Sequence, residues 1–210
     1  MDLEIINPYI MKIIIAAREE DSINRIASRI SVSYGWTYKW VNVLSKVGVF
    51  KKTRMNVFLQ KDNGFYNKTL QFIRGNFSGD ISFRYSIIEL FGIPYCFTGI
   101  DAVFVWTKGG YNIARFKGHY PIFVKIKESD RELFNFYTSK LKKKGGVYYK
   151  AMFVKDISCS YLDGVPVDSL KETIEFMRRY IYNFQPALEM VEEMYNVKTG
   201  VKYMESATNA

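Results

Sequence analysis

The sequence predicts an α+β protein in two parts: a helix-rich segment over residues 1–76 that closes on a small β-hairpin, and a mixed α/β segment over residues 80–200, with 201–210 as a tail. Three observations predict it. Apolar side chains recur at three- and four-residue spacing from residue 7 to residue 47, short β-branched and apolar runs follow to residue 60, and alternating runs are interleaved with helical ones after residue 83. The stretch 75–80, with Gly75, Asn76, Ser78 and Gly79, reads as the boundary.

The first helix is expected from Asn7 and Pro8, since proline suits a first turn, with Ile10, Ile13, Ile14 and Ala17 as its buried stripe. Ser22 caps a second helix in which Ile23, Ile26, Ala27 and Ile30 form one apolar line, so that helix ends near Ile30. The link Ser31, Val32, Ser33 is long enough only to turn, with Val32 pointing inward and Ser33 capping the third helix. There Thr37, Trp40, Val41 and Leu44 share the core side, while Tyr34, Trp36, Tyr38, Lys39 and Asn42 fall mainly on the other. The runs 49–54 and 56–60 form the hairpin, with Lys51, Lys52 and Arg54 at or near its tip. The offsets from Ser33 to Leu44 to Gly48, and then into the basic run, match a recognition helix leading into a wing. Residues 22–61 thus read as a winged helix-turn-helix.

A merely solvated helix face would be rich in Glu, Lys and Gln, so two tyrosines, a tryptophan, a lysine and an asparagine need another explanation. Double-stranded DNA supplies one. Asn and Lys address base edges, Ser and Tyr hydroxyls hold phosphates, and rings pack against sugars or thymine methyls. The expected DNA contacts are therefore Ser33, Tyr34, Trp36, Tyr38, Lys39 and Asn42 on the helix, with Lys51, Lys52 and Arg54 on the wing. Trp36 is the member of this set that a hydrophobic core would claim first. Charge agrees: the formal balance is +9, and residues 1–76 hold 12 Lys and Arg against 6 Asp and Glu.

Farther on, a fourth helix is expected over Phe65, Thr69, Leu70, Phe72 and Ile73, ending before Gly75, and a short one over 86–91. Residues 100–106 suit either a buried helix or a strand. Strands are expected at 111–116, 121–127 and 147–156, and a helix from Ser129 and Asp130 that buries Leu133, Phe134, Phe136, Tyr137 and Leu141. Lys142, Lys143, Lys144, Gly145 and Gly146 read as a cationic helix end, favoured over a second DNA contact. Helices are expected from Leu170 to about Tyr182 and from Pro186 to about Tyr195, and the tail after Gly200 is expected to fray.

Composition also excludes. No apolar run approaches the roughly 18 residues of a membrane span, and the acidic start Met1, Asp2, Leu3, Glu4 is unlike a signal peptide, so a cytoplasmic protein is expected. Cys96 and Cys159 stand alone and His119 is the single histidine, which leaves no metal-ligand cluster and no histidine-based triad; no metal, cofactor or catalytic residue is assigned. The glycines at 99, 109 and 110 have the spacing of neither phosphate-binding loop.

The run Tyr95, Cys96, Phe97, Thr98, Gly99, Ile100, Asp101, Ala102, the strand 120–126, and Asp163 to Thr173, in which Val167-x-Ser169-x-x-x-Thr173 opens a helix, resemble the AbiEi-type antitoxins of type IV toxin–antitoxin systems and related archaeal winged-helix regulators. The resemblance implies a DNA-binding repressor that silences its own operon, functionally linked to a toxin encoded nearby. It also implies a C-terminal antitoxin-like domain akin to a degenerate nucleotidyltransferase.

Two rivals stand beside this reading. One is a nucleotidyltransferase-like enzyme, but residues 120–127 carry no acid to hold Mg²⁺. The other is a protein that binds nucleic acid without sequence preference. The aromatics of the second half, Phe83, Tyr85, Phe91, Trp106, Phe116, Phe134 and Phe136, are open to three readings: core, a ligand pocket, or a homodimer interface.

Overall fold

The computed structural model describes residues 7–79, 81–113, 115, 119–141 and 146–200. The chain is mixed α and β, with two sheets among the described residues. No helix there is long and apolar enough to cross a membrane. Its contacts divide it into two compact units, one formed by residues within 7–94, 119–120 and 128–148 and the other by residues within 95–115, 121–127 and 149–200. The expected tail 201–210, the acidic start, and Lys142 to Gly145 of the expected cationic turn lie outside the described residues.

In the first unit, helix α1 (Pro8–Ala16) is N-capped by the Asn7 side chain and buries Ile10, Ile13, Ile14 and Ile15 completely. Strand β1 (Glu20–Asp21) leads to α2 (Ile23–Ile30), capped by Ser22. Ser31 closes α2 in the left-handed region, the turn that sets up α3 (Tyr34–Lys46). Strands β2 (Phe50–Lys52) and β3 (Val57–Leu59) pair antiparallel, and β1 adds to the far side of β3, giving the order β1-β3-β2. Burial follows the expected periodicity. Ile26, Ile30, Val41 and Leu44 are fully enclosed, and so pack the three helices on one another and on the hairpin residues Val49, Phe50 and Val57.

Helix α4 (Gly64–Ser78) does not stop before Gly75 but runs through it. A side chain at Gly75 would meet nothing within 4 Å, so this glycine faces open space, while Tyr66, Thr69, Leu70, Ile73 and Phe77 are buried on the opposite side. Burial of five residues outweighs a glycine cost of about 1 kcal/mol. Helix α5 (Ile81–Ser86), a 3-10 turn over Ile87–Phe91 and α7 (Arg131–Leu141) complete this unit, with the Phe91 and Tyr137 rings 4.9 Å apart. The Tyr137 hydroxyl donates to the Arg29 carbonyl at 3.2 Å. Of the residues expected to bury on α7, Phe134, Tyr137 and Leu141 do so; Leu133 and Phe136 are half-buried.

The second unit holds a five-stranded sheet in the order β6-β5-β4-β8-β7, from β4 (Tyr95–Phe97), β5 (His119–Lys127), β6 (Gly146–Val154), β7 (Ser160–Leu162) and β8 (Val165–Val167). Strand β4 is antiparallel to β5 and parallel to β8. Ile122, Val124 and Ile126 turn one face of β5 into the core. Asp163 and Gly164, both at positive φ, make the two-residue turn of the β7–β8 hairpin. The stretch 100–106 is a helix, α6 (Ile100–Trp106). Tyr111–Ile113 and Arg115, expected in a strand, have no regular structure, and Ala114 and Phe116 lie outside the described residues.

Helix α8 (Leu170–Arg179) opens on a capping box between Ser169 and Glu172, and α9 (Ile181–Tyr195) follows almost at once. Pro186 lies inside α9 and does not open it. It is exposed, as is Tyr182 one turn earlier, so the hydrogen bond it forfeits falls on the solvent side while Phe184, Ala187, Leu188 and Val191 stay buried.

Candidate nucleic-acid interface

The face of α3 is set by its buried side. Thr37, Val41 and Leu44 have no exposed surface, and at 100° per residue the opposite line runs through Gly35, Lys39, Asn42 and Lys46. Ser33 caps the helix, its Oγ accepting from the Trp36 N–H at 3.5 Å while its carbonyl accepts from the Thr37 hydroxyl at 3.0 Å. A side chain at Gly35 would meet nothing within 4 Å, which leaves backbone bare at the start of this line.

The aromatic residues flank that line. Tyr34 and Tyr38 stack at 5.9 Å along one edge; on the other, the Trp36 ring lies 5.3 Å from Tyr9 of α1 and nearly parallel to it. Trp36 is not claimed by the core: it is 47% exposed. Lys39 sits over two indoles, its Nζ 4.7 Å from the Trp36 ring centre and 5.2 Å from that of Trp40. Trp40, expected in the core, is only half-buried, and among the described residues its Nε1 is enclosed without a partner. The reason is phase, since Trp40 lies beside the Thr37–Val41–Leu44 line and not within it.

The hairpin cations Lys51, Lys52 and Arg54 are not gathered at one point. Arg54 and Met55 form the tip of a tight turn in which the Thr53 N–H donates to the Asn56 carbonyl at 2.8 Å and the Asn56 N–H to the Thr53 hydroxyl at 3.0 Å. Lys51 and Lys52 lie on β2 itself, where successive side chains take opposite faces. Lys52 belongs with α3: its ammonium donates to Asn42 Oδ1 and lies 4.8 Å from the Tyr38 ring centre. Asn56 ties the turn to β1 by donating to Glu20 at 2.7 Å.

Between Asp21 and Asp62 the chain contains no acidic residue, while it carries Arg25, Arg29, Lys39, Lys46, Lys51, Lys52, Arg54 and Lys61. Arg29 is the inward one. Its Nη1 reaches Asp21 Oδ2 and the Ala16 carbonyl, each at 2.6 Å, and so locks β1, α1 and α2 together. Lys61 pairs with Glu19 beside β1, at the hairpin end away from the turn, and Glu20 meets Asn56, while α3 itself and residues 49–56 carry Lys39, Lys46, Lys51, Lys52 and Arg54 with no acid among them. Lys46 and Gly35 were not among the residues the sequence singled out; both follow from the period of α3 once its buried side is known.

The carboxylates of the second unit are committed elsewhere. Asp101 accepts from the Phe123 N–H at 2.6 Å and pairs with Arg115 at 2.7 Å, both side chains being enclosed. Asp168 pairs with Lys125 at 2.6 Å and accepts from the Thr98 hydroxyl, so the two segments carrying the family resemblance meet at the ends of parallel strands β4 and β8. Burial alone would lower the Lys125 ammonium; the hydrogen bond and charge of Asp168, with Glu172 3.9 Å away, hold it above its ordinary value. Cys96 is a buried free thiol, pushed up by that burial and by the Asp168 charge; Cys159 is free and half-buried. His119 is exposed, its ring 5.8 Å from Tyr148.

Comparison of the chain with protein-family models, with curated proteins and with solved structures yields no match.

Proposed function

We propose that the chain binds double-stranded DNA sequence-specifically through a winged helix-turn-helix in its first unit and acts as a transcriptional repressor. Helix α3 enters the major groove, where Lys39, Asn42 and Lys46 meet base edges, and the β2–β3 hairpin lies along the phosphates with Arg54 leading. The observation that carries this reading is the acid-free stretch from residue 22 to residue 61, which places Lys39 and Lys46 on the outward line of α3 with Gly35 and Asn42, and Lys51, Lys52 and Arg54 on the hairpin that follows it. A solvated helix would mix signs, and a protein interface would not concentrate one sign of charge so strongly.

The β1-β3-β2 sheet supports the same reading, since it braces the hairpin against the helices through Asp21, Arg29 and Asn56. The absence of an enzymatic role is supported by Asp101 and Asp168, each already neutralised by a cation. The link to a neighbouring toxin gene rests on the resemblance of residues 95–102 and 163–173, and a growth defect caused by an adjacent gene and relieved by this chain would support it. A homodimer bound across a two-fold operator is part of the proposal, and light scattering with and without operator tests it.

Selection of bound duplexes from random DNA at two salt concentrations tests the whole reading. An enriched motif whose binding weakens steeply with salt is expected. Binding without enrichment would favour a second reading, a sequence-tolerant platform in which the exposed rings of Tyr9, Tyr34, Trp36 and Tyr38 stack on unpaired bases.

A further inference from the structure

The second unit contains a cavity of about 460 Å³. It opens at the carboxyl end of β4, where Thr98 and Gly99 turn into α6, and its walls come from Ile100, Ile113, Phe123, Met152, Phe176 and Phe184. Phe83, Tyr85, Phe91, Trp106, Phe134 and Phe136, singled out from the sequence, do not line it, and Phe116 lies outside the described residues. It is a cleft open to solvent on one side, where Met152 is exposed, so a ligand can enter it without the protein unfolding. It falls in the range, roughly 300 to 1,000 Å³, of sites that enclose small ligands, and it has their composition: mostly apolar and aromatic with a few polar groups at the edge.

Those polar groups stand at two places. Tyr180 and Asn183, at the junction of α8 and α9, supply a hydroxyl and an amide, and among the described residues no hydrogen bond holds the Asn183 side-chain amide. At the sheet, Lys150 and Met152 project from the same face of β6, and the Lys150 ammonium lies 5.3 Å from the centre of the Phe123 ring. Among the described residues no carboxylate pairs with Lys150, which is exposed. An anion seated beside it would gain a partner without breaking one.

We propose that this cavity binds a small amphipathic anion, with an aromatic or branched apolar body among Phe123, Phe176 and Phe184 and a carboxylate or sulfonate at Lys150. The body is held by the rings and the sulfur of Met152, which adapts to flat surfaces; the charge fixes which end faces the sheet. This assignment is independent of DNA binding by the first unit.

Two dyes that share a ring system and differ in charge test it: 1-anilinonaphthalene-8-sulfonate, an anion, and N-phenyl-1-naphthylamine, its neutral counterpart. Both are titrated by fluorescence into the full-length protein, the Lys150→Ala variant and the Met152→Glu variant. Both substitutions are at exposed positions, and the melting temperature of each variant checks that it folds. Lys150→Ala is expected to weaken the sulfonate by about tenfold while leaving the neutral dye within about twofold. Met152→Glu, which places a carboxylate in the wall, is expected to weaken both. Failure of the wild-type protein to bind either dye, or equal binding by wild type and Met152→Glu, would overturn the site. Loss of both dyes with Met152→Glu but no effect of Lys150→Ala on the sulfonate would overturn the anionic ligand class.

Discussion

Lys52 of the hairpin donates its ammonium to the Oδ1 of Asn42 on α3, which joins the hairpin and the helix into a single surface. The Asn42 side chain is thereby presented with its amide N–H₂ outward, a donor for a base-edge acceptor. Asn42→Ala is expected to weaken binding to an enriched duplex by about 1 to 3 kcal/mol and random duplex far less. Lys52→Ala is expected to weaken both, and to weaken the enriched duplex further because it frees the Asn42 rotamer. A double-mutant cycle on the two positions, read by fluorescence anisotropy, should therefore give a nonzero coupling; additive losses would show that the two act separately.

Arg54 stands in the turn of the hairpin, beyond the end of β2. Its expected partner is a phosphate. Arg54→Ala should weaken enriched and random duplexes alike and reduce the slope of log affinity against log salt by about one. A loss confined to the enriched duplex would place Arg54 in a groove.

Where a local pattern decides the structure, the sequence was readable. Ile10, Ile13, Ile14, Ile26, Ile30, Val41 and Leu44 repeat with the helical period and all are buried, so the three helices and the outward side of α3 follow from spacing alone. Strand β1 was not readable, because two acidic residues carry no strand pattern and are held by contacts distant in sequence: their register with Val57 and Phe58, Arg29 on Asp21 and Asn56 on Glu20. Gly75 and Pro186 misled for one shared reason: each is a helix breaker placed on a solvent-facing side, where tertiary burial of the other face overrides it. Asp163 and Gly164 carried a strong hairpin signal, but strands of three residues on either side gave it no alternating frame. In the candidate site, the helix face was legible and the Lys52–Asn42 contact was not, since it joins residues ten positions apart through the fold.

Leu44 and Trp40 separate core from edge on α3. Leu44 has no exposed surface, so Leu44→Ala should cost about 2 to 5 kcal/mol in denaturant unfolding. Trp40 is half-buried with an enclosed Nε1 that lacks a partner among the described residues. Trp40→Phe removes that polar atom and keeps a ring, so stability is expected to stay within about 1 kcal/mol of wild type or to rise. A loss as large as that of Leu44→Ala would show that the indole N–H is satisfied in solution.

Lys140 gives the first unit a dependence on pH. Its side chain is half-buried with the ammonium turned inward, donating to the Ala17 carbonyl at 2.6 Å and the Ile14 carbonyl at 3.4 Å at the end of α1. Burial, and then the charges of Arg29, Arg18, Arg74 and Lys61, push its pKa down from 10.5 to about 7. Below about pH 7 the group is protonated in folded and unfolded chains alike, and the cost of enclosing the ammonium is fully present. Between there and about pH 10 the unfolded chain holds a proton that the folded chain has released, so stability rises with pH. The urea midpoint is expected to increase from about pH 6 to about pH 9 in wild type and to change less in Lys140→Met, which keeps the side-chain length but cannot titrate. The same rise in both proteins would assign it to another group.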